Sequence, residues 1–108
     1  MNPIISRGLI YAATYISAVL FRENEVKIAI MHIILLAILA YMSPLNIIKS
    51  ALITGPLMAL TEYISIKNYN MWKYNNAVGT IPYWLIFTWT IVVFFIIDVF
   101  RFVQKYLD

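Results

Sequence analysis

Cysteine is absent from these 108 residues, which excludes disulfides, cysteine-ligated iron–sulfur clusters and thiol catalysis. Charge is scarce: 12% of residues are Asp, Glu, Lys or Arg, against about 25% in an average soluble domain. The net charge of +3 is scattered, with no Lys/Arg cluster, so nucleic-acid binding has no electrostatic footprint. There is one histidine, so a histidine-rich metal site is out of reach. No HExxH helix, Gly-rich phosphate loop or nucleophile–base pair occurs, and no internal repeat or low-complexity tract. What remains is 63% hydrophobic, with a mean hydropathy of +0.82. This composition predicts one all-α integral membrane domain, residues 1–108, placed in the cell membrane.

Four apolar segments are expected to be transmembrane helices, at about 4–21, 27–42, 44–66 and 81–101. The first carries Arg7 near its start, whose stem must lie along the helix to bring the charge to the headgroups. An early arginine before an apolar run resembles a signal sequence, but the run holds Tyr11, Thr14 and Tyr15 and lacks a distinct cleavage site. We read it as a retained first span. Gly8, Ala12, Ala13 and Ser17 are its candidates for close helix contact.

The charged run Arg22–Lys27 separates spans one and two, with Asn24 or Glu23 as cap and Glu25 at the positive end of the second helix. His32 lies about one turn inside that helix, suited to a hydrogen bond with a neighbouring helix. Ser43 as N-cap and Pro44 at the first helical position predict a tight turn, with spans two and three as an antiparallel hairpin. Gly55-Pro56 predicts a kink in span three. Basic residues divide evenly between the two sides: Arg7, Lys49, Arg101 and Lys105 on one, Arg22, Lys27, Lys67 and Lys73 on the other. The tail from Arg101 is amphipathic and expected at the interface.

The stretch from Glu62 to Trp89 gathers the polar and aromatic features. It contains a carboxylate, five aromatic rings from Tyr69 to Trp84, Gly79 for a positive-φ turn and Pro82 to open the last helix. It predicts a helical hairpin around an aromatic-rich loop. Glu62 can carry a proton or ligand, as ionisable groups inside spans often do. It can equally anchor the loop by accepting from Trp72, Tyr74 or backbone N–H groups, and that is the preferred reading. Trp72, Tyr74, Tyr83, Trp84 and Trp89 fit an interfacial aromatic belt; a pocket for a lipid, quinone or pigment is the alternative. Asp98 is expected to pair with Arg101 at i,i+3. A metal site from His32, Glu62 and Asp98 is weakly supported, having no spacing motif.

Three runs, E-Y-I-S-I-K-N from Glu62, M-W-K-Y from Met71 and G-T-I-P-Y-W from Gly79, together resemble accessory subunit X of archaeal ammonia monooxygenase, a complex of the copper monooxygenase superfamily. Chain length, helical membrane character and S-P-L-N at Ser43 are part of the resemblance. It implies that copper and catalysis belong to partner subunits and that this chain holds no cofactor. The expected function is therefore a non-catalytic, stabilising subunit among other integral membrane subunits and membrane lipids. The alternatives are a small homo-oligomeric transporter or channel using Glu62 and Asp98, and a lipid- or quinone-binding module built on the aromatic loop.

Overall fold

The computed structural model describes residues 3–69 and 83–107. They form four helices: α1 (Pro3–Leu20), α2 (Glu25–Tyr41), α3 (Leu45–Tyr69) and α4 (Leu85–Leu107). Helix α1 opens on Pro3, whose fixed φ and missing N–H suit a first turn. It closes through Phe21 N–H to Ser17 O at 2.9 Å. Asn24 then caps α2 from an extended backbone, its side chain accepting from Lys27 N–H at 3.1 Å. Glu25 occupies the first turn, where the helix dipole favours a carboxylate.

The α2–α3 turn differs by one residue from the sequence expectation. Pro44 O accepts from the N–H groups of Ile47 and Ile48, so Pro44 caps α3 and the helix begins at Leu45. Ser43 does not cap it. Its hydroxyl donates backwards to Leu39 O at 2.7 Å, satisfying a carbonyl that the end of α2 would leave open. Despite that tight turn, α3 packs chiefly on α4, and the expected α2–α3 hairpin is not the main pairing.

Helix α3 continues through Pro56 for 25 residues, about 37 Å at 1.5 Å per residue. The proline is exposed while Gly55 beside it is buried. A Cβ built on Gly55 would come within 2.5 Å of Thr90 Cα, so only glycine permits this approach of α3 to α4. Ala51 and Ala59, one turn to either side, are also buried and keep the seam narrow. The Gly-Pro pair thus marks a helix contact as well as a missing hydrogen bond.

Helix α4 begins at Leu85, with Trp84 O accepting from Phe87 and Thr88 N–H groups, about four residues after the expected start. It extends as one helix to Leu107, about two turns past the expected end at Arg101. The tail is therefore the exposed last stretch of α4. This helix packs against each of the other three. Its Ile91, Val93 and Phe94 join Ile10, Leu35, Leu39 and Ala51 in the core.

That core is thin. Large apolar side chains on all four helices face outward, among them Ile5, Ile16, Ile30, Ile53, Leu60, Ile96 and Phe100. Two helical stretches, Leu45–Asn68 and Leu85–Tyr106, are long and apolar enough to cross a membrane, and Ile4–Leu20 is a shorter apolar helix.

Candidate functional site

The inward-facing polar side chains lie on α4 and the surfaces that meet it, in three clusters. The first forms around His32. The buried face of α2 is Ile28, Ala29, His32, Leu35 and Leu39, a helical stripe that carries the histidine to the middle of the bundle. Its Nδ1 lies 2.5 Å from Thr88 Oγ1 on α4. Its Nε2 lies 3.1 Å from both Thr14 O and Ser17 Oγ on α1. A carbonyl oxygen only accepts, so Nε2 carries the hydrogen and Nδ1 accepts from the Thr88 hydroxyl. Ser17 gives its own hydrogen to Thr14 O at 3.0 Å, which leaves an oxygen lone pair for Nε2–H. One ring therefore ties α1, α2 and α4, with the Trp84 ring edge-on at 5.9 Å. His32 is fully buried and Ser17 5% exposed, and both are engaged in hydrogen bonds that join helices.

The second cluster joins α3 to α4. Glu62 continues the Ala51, Gly55, Ala59 stripe, followed by Ile66. Glu62 is 8% exposed, and Trp89 donates its indole N–H to Oε2 at 2.7 Å. Trp89 neighbours Thr88, so the two side chains leave α4 about 100° apart at nearly the same level. They engage α3 and α2 respectively.

The third cluster lies about 15 Å further along α4. Asp98 accepts from Arg7 Nε at 2.7 Å and from the Tyr11 hydroxyl, both on α1. Arg7 Nη1 also donates to Ser43 Oγ at 3.0 Å, reaching the α2–α3 turn. The Tyr11 ring meets Phe95 edge-on at 5.1 Å. The expected Asp98–Arg101 pair is therefore replaced by a long-range pair, and Arg101 is exposed.

Glu62, Trp84 and Asp98 thus fall in different clusters, all around α4. Trp72, Tyr74, Gly79 and Pro82, together with the loop they define, lie outside the described residues. Trp89, expected in an aromatic belt, donates to Glu62, and Tyr83 is exposed. On α1, Gly8 and Ala12 face outward and the contact face is Ile10, Thr14 and Ser17. The small-residue seam lies on α3, where the sequence signal was the four-residue spacing of Ala51, Gly55 and Ala59. Thr14, Thr88 and the Arg7–Asp98 pairing were not anticipated. For Arg7 and Asp98 a signal existed: each is an ionisable group inside an apolar run, and the two helices run antiparallel to bring them level.

His32, Glu62 and Asp98 do not converge, and among the described residues no group of three His, Cys, Asp or Glu side chains could hold a metal ion. What this arrangement can do chemically is hold helices together. Compared with known proteins, the chain matches no family model, no curated protein and no solved structure.

Proposed function

We propose that this chain is a non-catalytic stabilising subunit of an integral membrane complex, embedded through four helices. One observation carries the reading: among the described residues His32, Glu62 and the Arg7–Asp98 pair are turned inward to join helices, while large apolar side chains on all four helices face outward. Water would penalise such a surface, whereas lipid or a neighbouring membrane subunit accepts it. The helix ends fit this setting. Along α4, Trp84 to Arg101 spans about 25 Å, and along α3, Lys49 to Lys67 spans about 27 Å. Both are close to the roughly 30 Å hydrocarbon thickness. Helix α1 is shorter, with about 22 Å between Arg7 and Arg22. A short span is better accommodated beside protein than alone in lipid.

The resemblance to accessory subunit X of archaeal ammonia monooxygenase is consistent with this role and assigns copper to partner subunits. This chain's own donor set does not suit copper, since the single histidine has both nitrogens engaged by Thr88, Thr14 and Ser17. A transport path through Glu62 and Asp98 is less well supported. Asp98 is ion-paired with Arg7, and Glu62 is bonded to Trp89 in another cluster.

Mild detergent extraction of the native protein tests the reading. The chain should migrate with larger integral membrane subunits, at a mass several times its own 12.5 kDa. Migration as a lone monomer would overturn it.

A further inference from the structure

At the end of the bundle that holds Arg7 and Asp98, a groove of about 820 Å³ opens between α1, the α2–α3 turn and the last turns of α4. Its α4 wall carries Phe95, Val99 and Phe102, and the facing wall Ile4 and Ile47, so the trough itself is apolar. Among the described residues its charged lining is one-sided: Arg7, Arg101 and Lys105 against the carboxylate of Asp98. Arg7 already neutralises that carboxylate at 2.7 Å, and Arg101 and Lys105 remain as exposed positive charge at i,i+4 on one face of α4. Gly8 borders the groove with nothing within 4 Å of where a Cβ would sit, so the trough is open along α1 as well.

We propose that this groove binds an anionic phospholipid, with the phosphate held by Arg101 and Lys105 and the upper acyl chain lying against Phe95, Val99 and Phe102. Charge complementarity selects this occupant. A zwitterionic lipid fills the trough equally well but brings its own cation to two basic side chains. The volume suits a headgroup and part of a chain, being in the range of small-molecule sites. Depth agrees: Arg101 and Lys105 lie about 25 and 31 Å along α4 from Trp84, which places them at the headgroup level of one leaflet. Each basic residue near an anionic membrane surface is worth about fivefold in binding. The inference rests on the membrane placement proposed above.

The test is native mass spectrometry of the full chain, with any subunits that co-purify, in micelles doped with phosphatidylglycerol or phosphatidylcholine of matched chains. One phosphatidylglycerol should be retained at a concentration about tenfold or more below that needed for phosphatidylcholine. The double variant Arg101→Gln/Lys105→Gln should abolish the preference, whereas Lys49→Gln, on the same side but outside the groove, should keep it. Gly8→Leu, which fills the trough without changing charge, should weaken retention of both lipids. Equal retention of the two lipids overturns the proposal, as does a preference that survives the double variant. A partner subunit whose removal is required before lipid binds also overturns it. An alkaline carbonate wash separates the two readings. A chain released to the soluble fraction sinks the membrane placement, while a chain kept in the pellet without lipid preference sinks only the lipid site.

Discussion

Gly55 and Thr90 are in backbone contact across the α3–α4 seam: a Cβ on the glycine would overlap Thr90 Oγ1 and lie 2.5 Å from Thr90 Cα. The near atoms include backbone, so a rotamer change cannot make room. Within a membrane, lipid tails are as apolar as the side chains, and close packing replaces the hydrophobic effect as the source of helix association. Gly55→Ala should therefore separate α3 from α4 and cost about 1–3 kcal/mol, the usual range for overpacking. Gly8→Ala is the control, as its Cβ meets open space. It should be neutral or stabilising by roughly 0.5–1 kcal/mol through helix propensity. Thermal unfolding in detergent reads both, and equal midpoints for the two variants would refute the seam.

The four-helix architecture was legible because apolar runs, charged breaks and caps are local signals, and Asn24 caps α2 as its position suggested. The pairing of helices was less legible. Ser43-Pro44 indicates a tight turn, but nothing local states that α3 leaves α2 to pack on α4. Asp98 shows the same limit. Arg101, three residues away, satisfies any local rule for ion pairing, whereas Arg7 becomes its partner only once α1 and α4 lie side by side. His32 and Glu62 were recognisable as polar groups in apolar surroundings. Their pairing with Thr88 and Trp89 was hidden, because Thr88 is an ordinary residue of an apolar helix and Trp89 equally suits a place in an aromatic belt.

Exchange at Glu62 distinguishes an anchor from a proton carrier. Gln retains a carbonyl oxygen that can accept from Trp89 Nε1, so Glu62→Gln should preserve assembly with a small loss of stability. Leu cannot accept, and Glu62→Leu should cost a further ~0.6–1.7 kcal/mol, the range for hydrogen bonds between membrane helices. Thermal stability in detergent reads the difference. Stability equal to wild type in the Leu variant, or proton flux in vesicles abolished by Gln alone, would count against an anchor.

Arg7 and Asp98 should behave as a coupled pair. Removing one leaves the other charge partly buried, because the side chains are 15% and 22% exposed. Arg7→Met and Asp98→Leu should each destabilise by about 1–3 kcal/mol, below the 3–5 kcal/mol typical of fully buried pairs. The double variant should recover most of that loss, since no uncompensated charge remains. A double-mutant cycle by thermal unfolding gives the coupling. Additive effects would show that the pair contributes nothing jointly.

The tie at His32 is asymmetric, and that asymmetry is measurable. Thr14 O can only accept, so the ring should hold the Nε2–H tautomer, which nitrogen chemical shifts of labelled histidine would report directly. The neighbouring hydroxyls have backbone acceptors of their own: Ser17 bonds to Thr14 O, and Thr88 can turn to Trp84 O at 3.3 Å. Replacing His32 by Leu therefore leaves both hydroxyls with partners, and the expected cost is that of an imperfect core exchange, about 1.5 kcal/mol or less. Thr88→Val does the opposite, leaving Nδ1 buried with its donor removed, for which about 1–3 kcal/mol is expected. The smaller change in the side chain should thus be the more damaging one. A Thr88→Val variant as stable as wild type would mean that the ring is held by packing and not by this network, whereas a resonance showing hydrogen on Nδ1 alone would reverse its direction, with Nδ1–H donating to Thr88 Oγ1 and Ser17 donating to Nε2.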